Sequence, residues 1–489
     1  MLLTKSRYMI GLQCPKCLWI MFNEPKNMPE PNENALHRFE EGNIIGELAK
    51  KCFPKGVDIP VDDFKKNMDK TKKLVEQRKI MFEGGFLYGE VFSRADVLVP
   101  VGKDKWDIIE VKSGARVKNE NIEDVSFQKY CYEKCGLKIR KCFLMHVNTR
   151  YVKKGKIYPK KLMIKEDITG KVNLNLGVEE RVNDMLKLIK LKKKPDMTIG
   201  RFCKNPYVCT VKGECWSFLP KNHVFNLHRG GEKSEELFGM GVQAIKDIPD
   251  HFKLNEKQSI QKKCELGGTH HIDKDKIKKF LNSLEYPLYY MDFETINPAI
   301  PLYDGMKPYQ RIPFQFSVHI VDKPGGKPKH ISFLHDSRQN PRPNFTKELM
   351  DALGEKGSII VYYEAFEKGV LSELAKALPK HRKSIESALK RIEDLIKPFN
   401  AFHCYHPDQQ GSASIKNVLP AMTGKGYSDM GIGDGATASI LFTKVNYGDV
   451  SEKEKKKVRA DLEKYCCLDT EGMIWIMDKL REMVEYGRC

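Results

Sequence analysis

No stretch of the 489 residues approaches the roughly 18–20 consecutive apolar side chains that cross a bilayer, so the sequence predicts no membrane span. The start, MLLTKSRYMIGLQCPKCLWIMF, is apolar in places, but Lys5, Arg7 and Lys16 interrupt it and no small-residue cleavage site follows. It does not read as a signal peptide. Tandem repeats and long low-complexity tracts are also absent, which argues against solenoids and arrays. Acidic residues fall short of basic ones: 65 Asp plus Glu against 84 Lys plus Arg leave a net charge of +19. That surplus favours a polyanionic partner, most simply nucleic acid. What is present is the composition of a soluble globular protein, 41% hydrophobic and 30% charged, rather than of a disordered one. The length suits about three domains. Without an export signal the expected location is the reducing cytoplasm. There, 14 cysteines point to thiols, metal or clusters and not to a disulfide framework.

The expected fold class is α/β. Residues 1–220 read as one mixed unit, with a helix over 34–51, strands over 85–92, 95–100 and 106–112, a helix over 123–134 and a strand over 141–147. A helical connector follows over 221–283. A second α/β unit covers 284–489, opening with a strand over 287–293 and closing with a helix over 455–483.

In the first unit Asp96 lies in SRADVLVP, and Glu110 and Lys112 lie in WDIIEVKSG. Strand alternation puts Glu110 and Lys112 on one face and Val111 on the other. A hairpin brings Asp96 alongside. Two carboxylates at a strand end suit Mg²⁺ or Mn²⁺, which take oxygen ligands and assist in-line attack on a phosphodiester. Lys112 would position the nucleophile or stabilise developing negative charge.

This set resembles the PD-(D/E)xK nucleases of the RecB and CRISPR-associated type. The likeness extends to Gln128 and Tyr132 in FQKYCY, matching a Q-x-x-x-Y motif whose residues line the site and contact nucleic acid in that group. It implies a restriction-endonuclease-like fold. One departure is visible: the metal-binding His of a G-x-x-x-H motif is replaced, since Gly42-Asn43-Ile44-Ile45-Gly46 puts Gly46 there, with Glu47 adjacent and His37 off register. The first domain is therefore expected to cut weakly or only to bind.

Cys14 lies in CPKCLW, and Cys203, Cys209 and Cys215 in CKNPYVCTVKGEC, spaced six apart. One thiolate from the start of the unit and three from its end could hold a [4Fe–4S] cluster. Zinc is the alternative, although only Cys14/Cys17 has the spacing of a zinc knuckle. The pattern is similar to the iron–sulfur RecB-like nucleases, and that resemblance favours Cys14 over Cys17. The other cysteines, Cys489 among them, read as packing or surface thiols.

In the second unit YPLYYMDFETINPAIP is an apolar strand ending in Asp292 and Glu294, two residues apart and so on one side. Such a pair anchors a two-metal phosphodiesterase site, which needs further acids from later elements. Glu367 in VYYEAFEKGVL and Asp469 in YCCLDTEGM supply them. Tyr465 precedes Asp469 by four, shares its helical face and could orient an attacking water. The pattern resembles the tyrosine subtype of DEDD 3′–5′ exonucleases, which implies an RNase H-like fold. Glu367 stands where most have Asp, and Tyr363 stands where most have Asn. In HPDQQGSASIKNVLP, Lys416 in a helix's first turn is the candidate contact to the substrate backbone.

The order of these parts, with PLYDGMKPYQRIPFQFSVHI, is similar to the domain-of-unknown-function 2779 family, mainly bacterial, over nearly the whole chain. The expectation is a metal-dependent nuclease acting on DNA or RNA, exonucleolytic on single-stranded ends, with two candidate sites and a helicase or a defence or repair partner. Two alternatives stay open. The first domain is a non-cutting nucleic-acid clamp, or the whole chain is a non-catalytic adaptor.

Overall fold

The computed structural model describes residues 2–428 and 430–486; Cys489 lies outside the described residues. Contacts divide the chain into two compact units. One comprises Met1–Ser217 with Pro298–Gln310, the other Phe218–Asn297 with everything from Arg311 onward. The stretch 221–283 thus groups with the second unit. Both units are mixed α/β. Among the described residues no helix is long and apolar enough to cross a membrane.

In the first unit the chain runs β1 (Leu3–Thr4), α1 (Lys5–Gln13), α2 (Pro15–Asn23), α3 (Glu33–Lys50), β2 (Val57–Asp58), α4 (Phe64–Glu76), β3 (Met81–Tyr88), β4 (Val91–Val101), β5 (Lys105–Lys112), α5 (Asn119–Lys134), β6 (Lys138–Val147) and β7 (Met163–Asp167). The sheet order is β2-β3-β4-β5-β6-β7, with β1 paired to β4. Two apolar clusters sandwich it. One includes Tyr8 of α1 and Phe127 and Tyr132 of α5; the other includes Ile45 and Ala49 of α3. The strand expected over 85–92 is broken, because a two-residue turn at Gly89 and Glu90 joins β3 to β4, with Tyr88 paired to Val91. Gly89 has φ +57°, which glycine adopts at no steric cost. Apolar residues on both sides of a Gly-Glu pair hide this turn from a pattern reading.

In the second unit β8 (Leu288–Ile296), β9 (Ile312–Val321) and β10 (Lys329–Leu334) form an antiparallel meander. Two short parallel strands, β11 (Ile359–Val361) and β12 (Ile392–Asp394), complete the order β10-β9-β8-β11-β12. Helix α6 (Arg342–Leu353) packs on one face, α7 (Glu364–Ala377) follows β11, and α8 (Ile415–Thr423), α9 (Gly435–Tyr447) and the long α10 (Glu452–Tyr486) follow. The apolar side of α10, including Ile476, Met477 and Leu480, packs with Leu288, Tyr290 and Ile360 of the sheet. This fixes its preceding turns over the polar end of β8.

Candidate functional site

In the first unit, β4 and β5 pair antiparallel up to Val97 opposite Ile109, and just beyond this the Val111 N–H donates to Asp96 Oδ2 at 2.6 Å. Glu110, only 1% exposed, is fully engaged. Its Oε1 accepts from Lys112 Nζ at 2.5 Å and Lys5 Nζ at 2.7 Å, and its Oε2 accepts from Gln128 Nε2 at 2.7 Å. Lys112 also donates to Asp124 at 2.7 Å, and Gln128 to Asp124 at 2.9 Å. Asp96, Glu110, Lys112 and Gln128 are therefore brought together. Tyr132 is not part of that network: it is fully buried against Phe86, with its hydroxyl 3.4 Å from Ser93 Oγ. Desolvation, then the Glu110 charge, pushes Asp96 up to about 7. Burial alone would raise Glu110 too, but Lys112 and Lys5 outweigh it and hold Glu110 well below the usual carboxylate range.

Three members of this site were missed in the sequence. Lys5 is 105 residues from Glu110 and carried no signal. Asp124 did carry one, since it lies one turn before Gln128 on the buried face of α5. Glu83, on the strand facing Asp96, has φ +58°, rare for a residue with a side chain. Desolvation raises its carboxyl as well. Gly46, in the place of the expected His, has open space around it.

The cysteines of the two end segments also meet. Cys14, Cys17, Cys209 and Cys215 share one apolar cluster with Trp19, Ile20 and Val211. The Cys209 thiol is within hydrogen-bonding reach of both Cys14 and Cys17, and Cys203 is buried, its carbonyl accepting from the Cys209 N–H. Cys215 is within electrostatic reach of Cys14 and Cys203. These thiols gather without a disulfide among the described residues. Both Cys14 and Cys17 lie in this cluster, so the structure does not separate them.

The second unit builds a different kind of site. Asp292 and Glu294 project from the end of β8, and Asp469 from α10. One carboxylate oxygen of each lies within 4.8 Å of the other two. With Glu367 they line a cleft of about 260 Å³ that also includes Tyr465, Lys416 and Tyr363. Here, among the described residues, no ammonium is hydrogen-bonded to the acids. Desolvation dominates each one. It raises Asp292 well above its ordinary value, helped by Asp469 and Glu294, and takes Glu294 to about 8 with Asp469's help. Glu367 rises to about 9, helped by Asp292. Asp469 reaches only about 6, because Tyr427 and Tyr465 donate hydrogen bonds to it and Lys416 lies nearby. Glu367 Oε2 is buried with no hydrogen-bond partner. A cluster of converging, desolvated carboxylates with an orphaned oxygen is what an oxygen-ligated divalent cation would complete.

Local sequence explains the placement. Asp394 at the end of β12 accepts from the N–H groups of Tyr363 and Glu364, which starts α7 and turns Glu367 inward one turn later. Tyr363 sits at φ +86° and is 58% exposed at the cleft. Gly435 opens α9 against Glu294; a Cβ there would lie 3.1 Å from Glu294 Oε2. Lys416 lies in the first turn of α8 behind Ser414, donates to the Gly433 carbonyl and rests over the rings of Tyr427 and Tyr465. Gly435, which lines the cleft, Tyr427, which donates to Asp469, and Asp394, which caps α7, were not anticipated, because each acts from a loop or terminus with no spacing rule.

A profile of the family described as "Domain of unknown function (DUF2779)" matches residues 289–414. The matched segment holds Asp292, Glu294 and Glu367 and stops short of Lys416, Tyr465 and Asp469. Curated relatives include "Uncharacterized protein MG366" of Mycoplasma genitalium, 26% identical over 230 residues, covering 43% of this chain and 34% of that one. "Uncharacterized protein UU173" of Ureaplasma parvum is 25% identical over 221 residues, covering 41% and 32%. The aligned part spans about a third of the length of these relatives.

Proposed function

From a chain similar in its second unit to this uncharacterised family, we propose a metal-dependent nuclease that hydrolyses phosphodiester bonds of DNA or RNA, exonucleolytically at single-stranded ends, in the cleft of the second unit. The observation that carries this reading is the convergence of Asp292, Glu294 and Asp469 within 4.8 Å beside the unpartnered Glu367 oxygen. These four acids would hold Mg²⁺ or Mn²⁺, which when bound supplies a nucleophilic water and charge stabilisation for in-line displacement. Burial and the surrounding acids raise Tyr465 far above its ordinary value. It therefore keeps its proton, anchors Asp469 and can orient a water. Lys416 offers a cation for the phosphate. Tyr363, held outward in a costly backbone conformation, offers a face on which an unpaired base stacks. The net charge of +19 supports backbone binding that weakens with salt.

For the first unit one observation favours the clamp over a second nuclease site. Both oxygens of Glu110 are already bonded to Lys5, Lys112 and Gln128, leaving it poorly placed to ligate an ion. The test uses end-labelled DNA and RNA with Mn²⁺. Asp292→Asn should remove all cleavage, whereas Asp96→Asn should leave the products unchanged and weaken binding. Products lost in Asp96→Asn alone would make the first unit the nuclease; no cleavage by the parent chain would favour the adaptor.

A structural [4Fe–4S] cluster held by Cys203, Cys209, Cys215 and Cys14 belongs to the same proposal, with zinc as the alternative. Protein purified without oxygen should be brown, and Cys209→Ser should lose the colour together with iron by metal analysis. A colourless preparation carrying one zinc per chain would assign the thiols to zinc.

A further inference from the structure

A second set of donors converges in the second unit, away from the carboxylate cleft: one donor atom each from His319, His330 and Cys467 lies within 4.8 Å of the other two. His319 and His330 are directly opposed on β9 and the edge strand β10. Their rings stack at 4.4 Å. Cys467 comes from α10, which crosses this face of the sheet. The face is polar where an apolar one would pack more simply. Gln315 donates to the Leu462 carbonyl, Ser317 Oγ lies 2.7 Å from Thr470 Oγ1, and His319 Nδ1 lies 2.8 Å from the same hydroxyl. Ser317 Oγ is also 2.9 Å from His330 Nε2. These hydroxyls engage one nitrogen of each imidazole and set both ring planes, as the outer partners of metal-binding histidines do. Each ring keeps a further nitrogen. Glu471, one turn beyond Cys467 on α10, is within electrostatic reach of both His330 and Cys467. Its carboxylate lies outside the 4.8 Å set and would have to move in to supply a fourth donor.

We infer that His319, His330 and Cys467, with Glu471 completing the set, form a binding site for a zinc-type divalent ion that staples α10 to the β9–β10 hairpin. Two imidazoles, a thiolate and a carboxylate suit a borderline-soft tetrahedral ion and not Mg²⁺. A thiolate and a carboxylate would balance its two charges. Cys467 lies two residues before Asp469, and Ser317 is paired across the sheet with Asp292. The ion would thus be a positioning element for the acid cleft, and its binding does not depend on the cleft's being a nuclease.

Two measurements test this. In the metal-stripped full chain, Cys467 should be alkylated at a rate that Zn²⁺ slows by about tenfold or more, because the metal-bound thiolate is withdrawn from attack; peptide mapping separates Cys467 from the other thiols. An unchanged rate at Cys467 in saturating Zn²⁺ overturns the inference, and no variant is needed. Co²⁺ titration supplies the second readout. The parent should take up one equivalent more than His330→Ala or Cys467→Ser, which lose Cys467's share of the thiolate-to-cobalt absorption, whereas Asp292→Asn should keep that share in full. Equal uptake and equal spectra in the parent, His330→Ala and Cys467→Ser would leave the row as a hydrogen-bond network without a metal.

Discussion

Asp292→Asn is expected to abolish hydrolysis and, in the same protein, to stabilise the metal-free fold. The two effects share one cause. Desolvation and the charges of Asp469 and Glu294 raise Asp292 well above a normal carboxylate. The apo cleft therefore pays to keep four acids together with no ammonium among the described residues hydrogen-bonded to them. An amide of the same shape is neutral without having to take up a proton on folding and can donate a hydrogen bond to a neighbouring acid. The melting temperature in chelator should rise, by about 2–4 °C for each kcal/mol relieved. Turnover of an end-labelled single strand should fall on the order of a thousandfold, as when a group stabilising transition-state charge is lost. Calorimetry and a gel assay read the two effects separately. Unchanged turnover would remove the cleft from the reaction. A lowered melting temperature would mean that Asp292 is a structural acid whose hydrogen bonds outweigh its repulsion. This trade of stability for a charged cleft is common where function demands it.

The second large effect is on pH. Asp469, Glu294 and Glu367 lie at about 6, 8 and 9 in the folded chain, above the roughly 4 of unfolded carboxylates. The fold thus binds more protons than the unfolded chain between those limits, so its stability falls as pH rises. This is opposite in sign to the usual salt-bridged acid. The contribution is complete below about pH 4 and is lost progressively as pH climbs through about 6 to 9. A divalent ion reverses the trend, since it binds the deprotonated acids and stabilises by mass action. Melting curves in chelator should therefore decline from pH 5 to 9. Saturating Mg²⁺ or Mn²⁺ should add little at pH 5 and most near pH 9. A metal effect independent of pH would show that protons and metal do not compete for these carboxylates. In Glu367→Gln the upper part of the decline should disappear.

The two departures from expected motifs acquire different meanings in three dimensions. Glu in place of Asp at 367 is accommodated, because α7 starts one turn earlier on the Asp394 cap and the longer side chain still reaches the cleft. The missing His of the first unit is not replaced by Glu47, which is paired with Lys50 on an exposed part of α3. Lys5 brings positive charge to Glu110 instead.

What the sequence determined by itself was short-range. Alternation put Asp292 with Glu294, and Glu110 with Lys112, on common strand faces. Helical periodicity put Tyr465 with Asp469, and Gln128 with Tyr132. Such spacings survive because strand and helix repeats are set by backbone geometry alone. The turn at Gly89 was the local feature it hid. Tertiary structure alone decided which charges face one another: Lys5 on Glu110 across 105 residues, Tyr427 on Asp469 across 42, and Gly435 against Glu294. It also decided that one acid cluster is ion-paired with lysines while the other stays desolvated, with Lys416 near but not bonded to it. Coulomb energy and burial depend on distances through space, which no periodicity along a chain encodes.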